Sequence, residues 1–200
     1  MVSVTYAKSI SVQEKKQKFL NTFVPAVTQV YDELTQRYKK TQELLEKNPK
    51  SPEIAKLMKT YHAKDTQDLL TRLKPHPISV TLAQAAMETG WGTSRLFKIA
   101  NNAFGVWSFS KNEPRVPAFA YRNKKQVYLR KYESVADSIR HYYKTIATVK
   151  VFSKFRAKTM KTPNPYTLVK ELDKYSERRY VYTNKLASII KYNQFLKYDK

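Results

Sequence analysis

Two neighbouring clusters in this chain carry residue types able to do chemistry. The first is Glu88, which closes the apolar run Ser79-Val80-Thr81-Leu82-Ala83-Gln84-Ala85-Ala86-Met87 and precedes Thr89-Gly90-Trp91-Gly92. Leu82, Ala83, Ala85 and Ala86 favour a helix whose faces must be buried. Ser79 is expected to cap its start, after the punctuation of Pro75-His76-Pro77, and Gly90 to stop it, because glycine takes positive φ freely. One carboxylate then sits at the C-terminal end of a buried helix, with no cation in the five residues before it. Apolar surroundings and the negative end of the helix dipole both raise a carboxyl pKa. A carboxyl that keeps its proton near neutrality can serve as a general acid. A lone glutamate near a helix end is more often a solvated or capping residue, so the reading leans on the second cluster, a few residues downstream.

That second cluster is Asn101-Asn102-Ala103-Phe104-Gly105-Val106-Trp107-Ser108-Phe109. Adjacent amides among aromatic rings suit a surface that reads sugars. Amides bond hydroxyl and acetamido edges, while the rings of Phe104, Trp107 and Phe109 stack on the apolar faces; Trp91, in the first cluster, is more often core than a sugar platform. The same residues read equally well as a turn followed by a half-buried strand.

The rest of the chain must supply the elements that hold these clusters. Val12 to Lys47 reads as a helix, with Val27, Val30, Tyr31, Leu34, Tyr38 and Leu45 on one stripe, bent or broken by Pro25 near Phe23-Val24. The first ten residues read as a loose arm. Pro52 opens a short helix, and Asp65 caps another carrying Leu69, Leu70 and Leu73. From Phe109 to Lys131 the pattern turns to strand, with a hairpin turn at Arg122-Asn123-Lys124-Lys125, seven basic residues and one acid, Glu113. Helices return from Ser134, where Ser134 and Asp137 stand at capping-box spacing, to a last helix carrying Tyr182, Leu186, Ile189 and Ile190. The prediction is a mainly α (α+β) chain: an N-terminal helical extension over residues 1–74, packed on a domain over 75–200 with a β-lobe at about 106–131.

Composition narrows the function. The 200 residues fit one domain, and a net charge of +22 implies an acidic partner: nucleic acid, anionic lipid or an anionic polymer such as a bacterial wall. The basic residues are dispersed and no nucleic-acid motif is present, which disfavours nucleic acid. There is no cysteine, no apolar run of the roughly 18 residues that span a bilayer, and no signal peptide after Met1. No phosphate loop, zincin motif or nucleophile elbow occurs, and His62 and His76 are isolated, so no metal or cofactor is expected. Any enzyme here works with carboxylate, tyrosine and amides.

The segment Ala83-Gln84-Ala85-Ala86-Met87-Glu88-Thr89-Gly90-Trp91-Gly92-Thr93-Ser94, followed by Asn101-Asn102-Ala103-Phe104-Gly105-Val106, resembles the signature of bacterial endo-β-N-acetylglucosaminidases, glycoside hydrolase family 73. The match looks closest to the Bax-like branch and extends over roughly residues 15 to 195, through Phe19-Leu20-Asn21-Thr22, Tyr132 to Tyr142, and Tyr175-Ser176-Glu177 with Tyr182 and Lys185-Leu186. The resemblance implies a lysozyme-like helical fold with a small β-hairpin lobe over a sugar groove. It implies Glu88 as general acid, Tyr175 facing the cleft and Glu113 as the lobe's second acid. Gln84, Trp91, Asn101, Asn102, Phe104, Gly105 and Trp107 would line the groove. The substrate implied is the peptidoglycan glycan strand, met by a monomer in the cell envelope. The alternatives are a muramidase or lytic transglycosylase on the same fold, or a non-catalytic protein that binds the wall or another polyanion.

Overall fold

The computed structural model describes residues 11–122 and 124–200; the expected N-terminal arm and Asn123 of the expected hairpin turn lie outside them. Helix α1 (Val12–Lys47) starts on a capping box, Ser11 with Glu14. It runs unbroken through Pro25, so of the expected bend or break the break does not occur. Phe19, Phe23, Val27 and Val30 are buried on both sides of the proline, and their packing outweighs the roughly 3 kcal/mol that an interior proline costs a helix. Helices α2 (Pro52–Tyr61) and α3 (Thr66–Leu73) are capped by Ser51 and Asp65. Together with Ala147 they build a small second core from Ile54, Tyr61, Leu69 and Leu73.

Helix α4 (Ile78–Glu88) is the central element. Every residue from Ile78 to Ala86 is buried, as expected of a helix apolar on all sides. It packs against α1, against α9 (Arg179–Tyr192) and against a 3-10 turn at Phe195–Tyr198. Ser79 is not its cap. Pro77 holds that position without a side-chain bond, and Asp199, from the far end of the chain, caps the helix instead. The Ser79 N–H and hydroxyl donate to the two Asp199 oxygens, each at 2.7 Å.

After α4 come α5 (Arg95–Ala100) and a two-stranded antiparallel lobe of β1 (Arg115–Arg122) and β2 (Lys125–Arg130). Arg115 pairs with Arg130 and Arg122 with Lys125, with a register shift between Pro117 and Tyr121. Trp107 bridges to Leu129, so a third segment leans on the ladder without forming a full strand. Helix α6 (Val135–Thr148) begins on the Ser134–Asp137 capping box. Helices α7 (Ser153–Lys161) and α8 (Pro165–Leu168) lead through a 3-10 stretch, Val169–Tyr175, to α9. The result is a mainly helical body with one small hairpin lobe. No described helix is long and apolar enough to cross a membrane.

Candidate active site

The end of α4 is built tightly. The Trp91 N–H bonds the Ala86 carbonyl at 2.8 Å and the Gly90 N–H faces that of Met87 at 3.4 Å, the paired bonds of a Schellman stop. Gly90 takes φ 55° there, as the sequence predicts, and Trp91 follows at φ 60°. A left-handed tryptophan costs on the order of 1 kcal/mol. Its ring meets Phe19 edge-on at 5.3 Å and Phe195 at 6.2 Å, with the Lys16 amino group 4.9 Å from its centre. Thr89, fully buried, ties the turn: its hydroxyl donates to the Ala85 carbonyl at 2.6 Å and accepts from the Gly92 N–H at 2.8 Å.

This turn leaves Glu88 open to solvent but crowded by protein. Burial raises its carboxyl above the ordinary glutamate range, against a hydrogen bond from Tyr182 that lowers it. The Tyr182 hydroxyl, from α9, donates to Glu88 Oε1 at 3.2 Å. Tyr175, at the end of the 3-10 stretch, stacks on Tyr182 with centroids 5.5 Å apart and planes 13° apart. Burial, and then the charge of Glu88, pushes the Tyr175 phenol above its usual range. Burial, then Tyr175 and Glu88, does the same to Tyr182. Both phenols therefore stay protonated and can only donate toward an anion. No salt bridge reaches Glu88 among the described residues.

The structure redistributes several residues expected to touch substrate. Gln84 is 0% exposed, with both amide atoms bonded inside the core, so it cannot contact a sugar. Phe104 is buried and stacks on Tyr142 at 4.1 Å. Trp91 packs on Phe19 and Phe195 and is part of the turn's support, not an open platform. The two asparagines spend their side-chain amides on backbone. Asn101 donates to the Tyr132 and Glu133 carbonyls, each at 3.1 Å. Asn102 donates to the Val106 and Arg130 carbonyls and accepts from the Val106 N–H, each at 2.9 Å. Through these bonds both residues root the lobe. Gly105 is exposed at φ 65°, and a Cβ there would meet nothing within 4 Å.

Trp107 is 40% exposed on the lobe, with the Arg122 guanidinium 5.4 Å from its ring. Phe109, Phe119 and Tyr121 stand exposed on the same lobe. Glu113 lies just before β1. The Ser108 hydroxyl donates to it at 2.6 Å and Arg130 stands 3.2 Å away, which hold its carboxyl below the ordinary range. Sequence reasoning missed the contact of Tyr182 with Glu88, because Tyr182 falls on the apolar stripe of α9 and reads as core. No group of histidines and carboxylates fit to hold a metal occurs among the described residues. A hollow of about 730 Å³ lies elsewhere, walled by α1, α3 and α6 residues such as Arg37, Arg72 and Lys144. Glu88, Tyr175 and Tyr182 do not line it.

A mainly helical body around one buried helix, with a single small hairpin lobe, fits a glycoside hydrolase of lysozyme-like fold. The chain belongs to the glucosaminidase family: the model described as mannosyl-glycoprotein endo-beta-N-acetylglucosaminidase matches residues 63–195. It is 28% identical over 200 residues to Protein bax of Escherichia coli (strain K12), covering 91% of this chain and 71% of that one. Its fold is similar to the catalytic domain of the autolysin Auto from Listeria monocytogenes, with a TM-score of 0.59 at 19% identity over 98% of this chain and 92% of that one. A peptidoglycan hydrolase from Sphingomonas sp. A1 is similar over 91% of this chain and 92% of its own, with a TM-score of 0.52 at 19% identity.

Proposed function

We propose that the protein hydrolyses the β-1,4 bond after N-acetylglucosamine in peptidoglycan glycan strands, with Glu88 as general acid. The observation that carries this is the Glu88 carboxyl itself: solvent-open, raised by burial, met by the Tyr182 hydroxyl and without a cationic partner among the described residues. Protonated Glu88 donates to the glycosidic oxygen as the bond to C1 breaks, and positive charge develops at C1. In this reading Tyr175, protonated near Glu88, donates to the substrate's acetamido group and holds it in position. Glu113 remains ionised and is the lobe's candidate second carboxylate, working on water across the groove. Exposed Trp107 offers a stacking face for a sugar ring. Family membership, the autolysin-like fold and the net charge of +22 support a wall polymer as substrate, and hence action in the cell envelope.

Mass analysis of a digest of purified peptidoglycan tests the bond. N-acetylglucosamine at the new reducing end is the expected product. N-acetylmuramic acid there means a muramidase, and a 1,6-anhydro end means a lytic transglycosylase; either overturns the bond assignment.

A further inference from the structure

The hydroxyl that Tyr182 presents to Glu88 is the last link of a hydrogen-bonded string that crosses the core. His76 Nε2, from the loop before α4, lies 3.0 Å from the Tyr142 hydroxyl on α6. Tyr142 donates to Gln84 Oε1 on α4. Gln84 Nε2 donates to the Tyr182 hydroxyl on α9 at 2.9 Å, and Tyr182 donates to Glu88 Oε1 at 3.2 Å. His76, Tyr142, Gln84 and Tyr182 are all buried.

With the Gln84 amide oxygen toward Tyr142 and its nitrogen toward Tyr182, the direction of each proton follows. A phenol has one hydrogen, an amide nitrogen only donates and an amide oxygen only accepts. Tyr182 accepts from Gln84, so its own hydrogen goes to Glu88. Tyr142 gives its hydrogen to Gln84, so its oxygen accepts, and His76 Nε2 must be the donor. Thr81 gives the same answer by an independent route. Its hydroxyl donates to Tyr143 at 2.9 Å, Tyr143 donates to the His76 carbonyl at 3.2 Å, and the Thr81 oxygen is left to face His76 Nε2 at 3.1 Å. Burial holds His76 down at about 3, so the ring is neutral and its single hydrogen sits on Nε2.

We propose that His76, Tyr142, Gln84 and Tyr182 form one positioning device for the catalytic carboxyl, pinning Glu88 Oε1 and leaving the transferable proton on Oε2. The proposal rests on the reading of Glu88 as general acid. Each donor in the string points toward the carboxylate, so the string favours the ionised form while burial opposes it. The other titratable groups around α4 do not perform this task. Tyr175 stacks on Tyr182 without a hydrogen bond to Glu88. Lys16 on α1 reaches the Trp91 ring and donates to Asn193 at 2.8 Å. Asp199 caps the opposite end of α4, and Glu113 is held by Ser108 and Arg130. Gln84 thus acts on the reaction through Tyr182, without meeting substrate.

The test is Tyr142→Phe, which removes one hydroxyl two links from Glu88 and preserves the ring. Two readouts are followed across pH: the Glu88 carboxyl carbon by NMR, and kcat/KM on soluble glycan. The expected result is an upward move of both the carboxyl titration and the alkaline limb, with kcat down about 10-fold from the loosened carboxyl. Tyr182→Phe gives a larger move, and adding Tyr142→Phe to it gives no more, because the string is already cut. A lowered Tm with both readouts unmoved means the hydroxyl is merely structural, and the proposal fails. If Tyr142→Phe does not fold, His76→Gln and His76→Leu replace it: the first keeps a donor and leaves the titration in place, the second moves it upward. Equal titrations in that pair also overturn the proposal. Wild-type turnover by Glu88→Gln ends the general-acid reading instead, and the carboxyl titration still reports on the string.

Discussion

Glu88 can act as an acid only if it holds its proton at working pH and reaches the bond. Its ordinary pKa is near 4.5, and burial raises it. The protonated fraction falls as pH rises through the raised value, so kcat/KM should fall on the alkaline side, with a limb above 4.5. A pH–rate profile checks this, and a limb at or below the ordinary value contradicts it. The same shift bears on stability. The folded state keeps the Glu88 proton to higher pH than the unfolded chain, so this contribution is present at low pH and lost as pH rises through the folded value. Glu88→Gln removes the charge that burial disfavours. Its Tm should exceed wild type near pH 8, and the gap should close below the ordinary glutamate pKa; calorimetry at both pH values decides. Tyr175→Phe should lower kcat about 10²-fold, the usual effect of losing one preorganised donor, with a smaller change in KM.

At the scale of elements, the site depends on how α4 starts and how the lobe is rooted. Asp199→Ala leaves the buried Ser79 N–H and hydroxyl without their acceptor, so it should cost about 1 kcal/mol, the typical value of a helix cap, read as a lower urea midpoint. Asn102→Ala should loosen the lobe, with faster amide exchange at Val106 and a raised KM. Sequence legibility followed distance along the chain. The bounds of α1, the Asp65 cap, the Ser134–Asp137 box and the Gly90 stop are local patterns, and all four appear as read. The true cap of α4 comes from 120 residues away, and the partners of Gln84 from 58 and 98 residues away, where no local pattern reaches. The bonds of the asparagine pair were hidden for a related reason. Its amides looked free for sugar because the carbonyls that take them, at Arg130, Tyr132 and Glu133, meet them only in the fold.

Across the whole molecule, +22 of net charge sits on a mainly helical body with aromatic side chains exposed on its lobe. Binding to an anionic wall should weaken steeply as salt rises past the point where the screening length falls below about 10 Å, near 0.1 M. Co-sedimentation with purified peptidoglycan across a salt series measures this, and salt-independent binding contradicts it. The class of molecule was legible in the sequence because the Glu88 segment and the Asn-Asn-x-Phe-Gly segment keep their spacing. The packing of those segments was not, because Gln84, Asn102 and Phe104 are buried and Asn101 bonds the backbone at Tyr132 and Glu133.

The central claim is that the Glu88 carboxyl supplies the proton, and replacing it by the isosteric amide tests that most directly. Turnover of purified peptidoglycan by folded Glu88→Gln, followed as released soluble glycan, should fall about 10²- to 10⁴-fold below wild type. Turnover within a factor of about two of wild type, smaller than any general-acid loss, would contradict it.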